Sequence, residues 1–126
     1  MSINSRAKGK RGERSWRDEL RAAGWVSARR GQQFAGSPDS PDVVCPQLSC
    51  FHFEVKHCER GNPFEFIAQA VRDAGEEKIP TVAMRRNRQP FIVILRTADF
   101  FALLRRCNLD GLRGEASESH REPSAL

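Results

Sequence analysis

No run of apolar residues in this chain approaches the ~18 needed to cross a bilayer, and no signal-peptide pattern opens it. The expectation is a soluble protein of the cytoplasm. Cysteine is scarce and poorly spaced for a metal cage: Cys45, Cys50, Cys58 and Cys107 form no C-x-x-C pair, and adding His52 and His57 does not produce a zinc-ligand spacing. The same scarcity argues against a disulfide framework. Cys45, Cys50 and Cys58 fall in or beside expected strands, where free cysteine behaves as a small core hydrophobe. No internal repeat is evident, and 126 residues leave no room for a second domain. The stretch 108–126 has few large apolar residues and reads as a flexible tail, which leaves 1–107 as the folded domain.

Positive charge, by contrast, is abundant and uneven. The net charge is +5, and residues 1–30 carry nine Lys/Arg against three Asp/Glu, whereas 108–126 carry two against four. A basic front half favours a polyanionic partner. Periodicity places the elements. Residues 1–7 look frayed, and a helix is expected from Lys8 to Ala23 with Trp16, Leu20 and Ala23 on one stripe and Gly24 as its stop. Trp25–Arg30 and Asp42–Cys45 read as short strands around a polar loop. Cys50–His57 alternates cleanly: Phe51, Phe53 and Val55 face the core, while His52, Glu54 and Lys56 face a cleft or solvent. Asn62 caps a helix that begins at Pro63 and runs to about Gly75, with Phe64, Ile67, Ala68 and Val71 inward. Strands over Thr81–Met84 and Phe91–Leu95 flank a turn at Asn87-Arg88, and Thr97 caps a last helix. Helix, three strands, helix, two strands, helix describes an α/β domain with a central mixed sheet flanked by helices.

One constellation carries chemistry. Pro41-Asp42 opens a strand, and Glu54-Val55-Lys56 follows twelve positions later inside another. Glu54 and Lys56 share a strand face because side chains alternate. Two carboxylates can share a hard divalent cation such as Mg²⁺ or Mn²⁺, with the lysine beside an attacking water or a phosphate. Glu13 lies on the helix stripe that meets the sheet, where a carboxylate is costly unless it is paired or bound to metal; a salt bridge to Arg17 one turn on is the plain alternative. For Asp42 the plain alternative is a turn carboxylate, and for Glu54 and Lys56 a cross-strand charge pair.

Glu13, Pro41-Asp42 and Glu54-Val55-Lys56 together resemble the PD-(D/E)xK nuclease superfamily. Three stretches narrow the likeness to the archaeal-type and bacteriophage Holliday junction resolvases: Lys8-Gly9-Lys10-Arg11-Gly12-Glu13, Gly36-Ser37 and His52-Phe53-Glu54-Val55-Lys56. Gln69-Ala70 and Arg85-Arg86-Asn87-Arg88 are similar to the phage members. The resemblance, over roughly residues 8–104, implies a restriction-endonuclease-like core. It implies Asp42, Glu54, the Val55 carbonyl and Glu13 as ligands to Mg²⁺ or Mn²⁺, Lys56 at the water or phosphate, and Gln69 in support. It implies Ser37 near the DNA.

Lys8, Lys10, Arg11, Arg29, Arg30, Arg85, Arg86 and Arg88 are the candidate DNA contacts. The expected activity is paired nicking of four-way junctions by a homodimer, since two-fold symmetry in the substrate asks for it in the enzyme. Phe64, Phe66, Phe100 and Phe101 are candidates for the dimer patch, with core packing as their alternative. A flap, nicking or restriction-type nuclease on the same fold, or a non-catalytic DNA-binding module, are the competing readings. Intact Asp42, Glu54 and Lys56 speak against the last.

Overall fold

Alternation and capping in the sequence translate directly into a five-stranded sheet with helices on both faces. The computed structural model describes residues 2–31 and 41–112, with side chains from residue 7 onward. In order, the elements are α1 (Ser2–Ala22), β1 (Arg29–Arg30), β2 (Val43–Val44), a 3-10 turn at Pro46–Leu48, β3 (Phe51–His57), α2 (Pro63–Ala74), β4 (Ile79–Arg85), β5 (Ile92–Ile94) and α3 (Thr97–Arg106). Residues to Arg96 form one compact unit and those from Thr97 a second.

The sheet order is β1-β2-β3-β4-β5. Only β3 and β4 run parallel; the other neighbours are antiparallel, so the sheet is mixed. The α2 segment makes the long crossover that a parallel pair requires. Two core layers follow from strand alternation. On one face, Trp16 and Leu20 of α1 pack with Ala28, Val43, Phe53, Val55 and Ala83. The Trp16 ring meets Phe53 edge-on at 5.8 Å between centroids and Phe91 at 5.1 Å. On the other face, Ala70 of α2 packs with Val82 and Met84, flanked by Phe66, Ile67 and Ile94. Covered on both sides, β3 and β4 are buried along most of their length, as the central strands of such sheets are.

One glycine sets how closely α1 approaches. A Cβ built on Gly12 would stand 2.7 Å from the His57 Cβ and 3.5 Å from a Val55 methyl, so only glycine lets the helix cross β3 here. The next residue, Glu13, is carried to the sheet by that contact. The ends of α2 and α1 behave as their sequences dictate. The Asn62 side chain accepts a hydrogen bond from the Phe64 N–H at 2.9 Å, Pro63 takes the first helical position, and Gly24 and Gly75 follow α1 and α2 with positive φ of 115° and 71°.

Several expectations are corrected. Residues 2–7 are helical, not frayed, and α1 has its Gly12 crossing point near the middle. Of Trp25–Arg30 only Arg29–Arg30 pair as strand, because the chain from Gly24 turns before it reaches β2. Strand β4 begins two residues before Thr81, running through Pro80. The missing N–H is tolerated because β5 pairs only with Val82, Ala83 and Met84. Phe64 is not inward but 81% exposed, as the second residue of a helix whose buried contact is centred on Ala70. Ala68 is likewise exposed. Of the cysteines, Cys45 is a core residue, Cys58 half-buried, and Cys50 and Cys107 are exposed; all four are free thiols. In the second unit, the Phe100 and Phe101 rings lie 6.2 Å apart and each is about half exposed. Among the described residues no helix is long and apolar enough to cross a membrane.

Candidate active site

Strand β2 is only two residues long, and its shortness creates the site. Backbone pairing between β2 and β3 is confined to Val43 opposite Phe53. At the entry to β2 the Asp42 N–H donates to the Phe53 carbonyl at 2.9 Å, and the Asp42 carbonyl accepts from the Gly31 N–H at 2.8 Å. Beyond that point the ladder continues through a side chain. The Val55 N–H donates to Asp42 Oδ2 at 2.8 Å. A carboxylate thus takes the place of a main-chain carbonyl and is held against the middle of β3. Gly31 permits the approach, since a Cβ there would run into the Pro41 carbonyl.

Glu54 and Lys56 flank Val55 on the strand face that α2 covers. Glu54 is 3% exposed, as is His52. The expectation that these side chains meet a cleft or solvent is therefore corrected for His52 and Glu54: α2 and the β3–β4 pairing close over them. His52 Nε2 lies 3.1 Å from Glu54 Oε2. Lys56 reaches the other way along the strand. Its Nζ donates to Gln69 Oε1 of α2 at 2.9 Å and sits 5.2 Å from the Phe66 ring centre. Gln69 is thereby placed in contact with the lysine.

Electrostatics tie these groups together. Burial, followed by repulsion from the Glu54 carboxylate, pushes the Asp42 carboxyl up from 3.8 to about 6. The Val55 N–H and Lys56 pull it down, and Glu13 adds to the rise. Glu13 is itself paired, though not with Arg17. Arg30 of β1 donates to Glu13 Oε1 through Nε at 3.0 Å and a terminal nitrogen at 2.9 Å, while Arg17 pairs with Asp18.

The raised Asp42 value has a measurable consequence. The folded state holds a proton on Asp42 more tightly than the unfolded chain, so ionising it costs stability. That cost is absent below about pH 3, where both states are protonated, grows as the pH rises from 3.8 to about 6, and is complete by about pH 7. A shift from 3.8 to about 6 corresponds to an order of 3 kcal/mol. Asp42→Asn keeps an acceptor for the Val55 N–H and removes the charge. In EDTA it should be more stable than the parent at pH 8, with the difference shrinking as the pH falls through about 6 and vanishing at about pH 3, as read by urea denaturation. A difference that does not change with pH would show that burial of the Asp42 charge is not the cause.

The basic candidates scatter more widely. Lys8 pairs with Glu59 at 3.6 Å, and the same Glu59 carboxylate accepts from the Asn87 N–H at 2.6 Å. Lys10, Arg11 and Arg29 are exposed, Arg30 is engaged by Glu13, and Arg86 and Arg88 stand exposed in the β4–β5 turn, Arg88 with φ of 63°. The Arg85 guanidinium stacks 5.6 Å from the Phe91 ring centre. Ser37 lies outside the described residues.

Two residues joined the site without having been singled out for it. His52 shares the β3 face with Glu54 at a spacing of two, a signal present in the sequence. Asp73 comes from α2, one turn beyond Gln69. Ligand atoms of His52, Glu54 and Asp73 all lie within 4.8 Å of one another. The donors are of the kind a divalent cation takes: carboxylate oxygens whose mutual repulsion a cation would relieve, together with one imidazole.

A family model described as "Phage putative PDDEXK endonuclease" matches residues 4–110. No curated protein matches the chain. No solved structure matches it.

Proposed function

The chain belongs to the phage PDDEXK endonuclease family and is thus a nuclease; from that premise we propose that it is a divalent-metal-dependent DNA endonuclease that resolves four-way junctions by paired nicks, working as a homodimer. The observation that carries the catalytic part is the Asp42 carboxylate, fixed on the Val55 N–H within electrostatic reach of Glu54, Glu13 and Lys56. Asp42 and Glu54 hold the ion. The Val55 carbonyl is a further ligand, since the N–H and C=O of an extended residue point to the same strand edge. Glu13, kept in place by Arg30, acts directly or through water. When bound, Mg²⁺ or Mn²⁺ lowers the pKa of a coordinated water and neutralises charge on the scissile phosphate. Lys56, oriented by Gln69, stands at that phosphate and its attacking water.

Substrate choice follows from charge and symmetry. Lys8, Lys10, Arg11 and Arg29 on one side, and Arg85, Arg86 and Arg88 on the other, contact backbone phosphates, with Ser37 near the cut. Phosphate contacts position DNA without reading sequence, which suits recognition of a branch. Two copies related by a two-fold axis match the two-fold relation of the strands to be nicked. Phe64, 81% exposed at the start of α2, is the leading candidate for their interface, ahead of the half-buried Phe66 and of Phe100 and Phe101.

The test is a cleavage panel of four-way junction, flap, fork, linear duplex and single strand, each with Mg²⁺, Mn²⁺ or EDTA. The expected result is metal-dependent, symmetrically paired nicks in the junction and slow cutting of linear duplex. Sedimentation should report a dimer. Equal cutting of duplex and junction, or a monomer, would defeat the junction reading and leave a flap, nicking or restriction-type nuclease. No cutting of any substrate would favour a binding module.

A further inference from the structure

His52 and Asp73 have no task in the chemistry proposed above, yet both converge on Glu54. His52 is buried in the central strand with its Nε2 3.1 Å from Glu54 Oε2. Asp73, half-buried on the facing helix, brings a carboxylate into the same group. A hydrogen bond with Glu54 accounts for His52 alone. It leaves the Asp73 carboxylate, which forms no hydrogen bond or ion pair with any described residue, turned toward a second, buried carboxylate. A cation between the two carboxylates would relieve their repulsion, with the His52 nitrogen as a third donor. The three ligand atoms lie within 4.8 Å of one another, close enough for small side-chain adjustments to bring all of them onto one ion.

We propose that His52, Glu54 and Asp73 form a second cation site, on the α2 side of β3, that takes a divalent transition ion such as Mn²⁺ or Zn²⁺ in preference to Mg²⁺. The preference comes from the imidazole: nitrogen ligands suit first-row transition metals, and Mg²⁺ favours oxygen and water. Glu54 would serve both sites, its Oε2 lying toward His52. An ion held this way ties α2 to β3. Since α2 also carries Gln69 to Lys56, the second ion fixes the catalytic lysine's support as well as Glu54. The site stands on its own geometry and does not require that the chain cut DNA.

Metal-stripped, untagged protein titrated with Mn²⁺ and followed by electron paramagnetic resonance counts bound ions directly. The parent should bind two per chain. Asp73→Asn, a change on a half-exposed helix position that preserves shape, should lose one of them or weaken it at least tenfold. Asp42→Asn should lose the other and keep the ion at His52 and Asp73. Excess Mg²⁺ should displace only the ion at Asp42. His52→Asn should reproduce the Asp73→Asn effect, provided circular dichroism shows it folded; if it does not fold, Asp73→Asn decides alone. Unchanged count and affinity in Asp73→Asn, or loss of every bound ion in Asp42→Asn, would overturn the inference. Cleavage is a separate readout: protein that binds two ions and cuts nothing sinks the nuclease assignment and keeps this site, and protein that cuts DNA with one bound ion does the reverse.

Discussion

Asp42→Asn and Glu54→Gln should each abolish cleavage while leaving DNA binding intact. Both replacements keep shape and hydrogen-bonding capacity and remove one negative charge from the cation's ligands. A metal ion's stabilisation of the transition state is worth several kcal/mol, and each ~1.4 kcal/mol is tenfold in rate, so the expected loss is roughly a thousandfold or more. Binding, which rests on phosphate contacts from the basic surface, should persist in Ca²⁺ or EDTA. Folding of the Asp42 variant should persist too, because removing a buried charge, and with it the repulsion from Glu54, favours the folded state at neutral pH. The signature is therefore a folded protein, still bound to DNA and inert, with the Asp42 variant at least as stable as its parent. Gel-shift and single-turnover cleavage assays on one labelled substrate read both properties. Near-normal cleavage by either variant would remove Asp42 or Glu54 from the metal site and force the ion elsewhere, with Glu13, His52 and Asp73 the remaining candidate donors.

How much of this was visible in the sequence depends on how local each cause is. The period of two in Phe51–His57 gives the two faces of β3 correctly, and Asn62-Pro63 gives the start of α2, because alternation and capping are properties of neighbours. The twelve-residue gap between Asp42 and Glu54 is legible for a related reason: the short connection over 45–50, with its 3-10 turn, returns β3 antiparallel to β2. What escaped notice involves tertiary contacts. Glu13 pairs with Arg30, seventeen positions away, and not with Arg17 at one helical turn, because Gly12 presses α1 onto β3 and turns Glu13 toward β1. Burial of Glu54 follows from α2 lying over it, which strand periodicity cannot report. Asp73 shares a helix face with Gln69 at a spacing of four, so its place was available once Gln69 had been assigned to the site; the orientation of α2 over β3 was the missing fact. Pro80 obscured the true start of β4 because local rules disfavour proline in a strand, and only the shortness of β5 makes it acceptable there.

Lys56→Ala should lower the cleavage rate by roughly a hundred- to a thousandfold, the usual loss on removing one preorganised charge-stabilising donor, and change stability by about 1 kcal/mol. The two effects separate because of where the side chain ends. Its ammonium lies over the half-buried Phe66 ring, a cation–π contact of modest value, and donates one hydrogen bond to Gln69. Neither anchors a core layer, since the α2 side of the sheet is packed by Ala70, Val82 and Met84. Gln69→Ala provides the control. It leaves the lysine in place and removes its tether, so it should reduce the rate by less than Lys56→Ala does, and combining the two changes should add little. Metal should still bind in all three variants, and no more weakly in those lacking the Lys56 charge, since the lysine acts on Asp42 through its charge alone. Circular dichroism and thermal melts establish the fold, Mn²⁺ titration the metal, and single-turnover cleavage the chemistry. If Lys56→Ala melts far below its parent, the lysine is a structural prop between β3 and α2; if the variant is folded, metal-bound and fully active, the transition state draws its positive charge from another side chain.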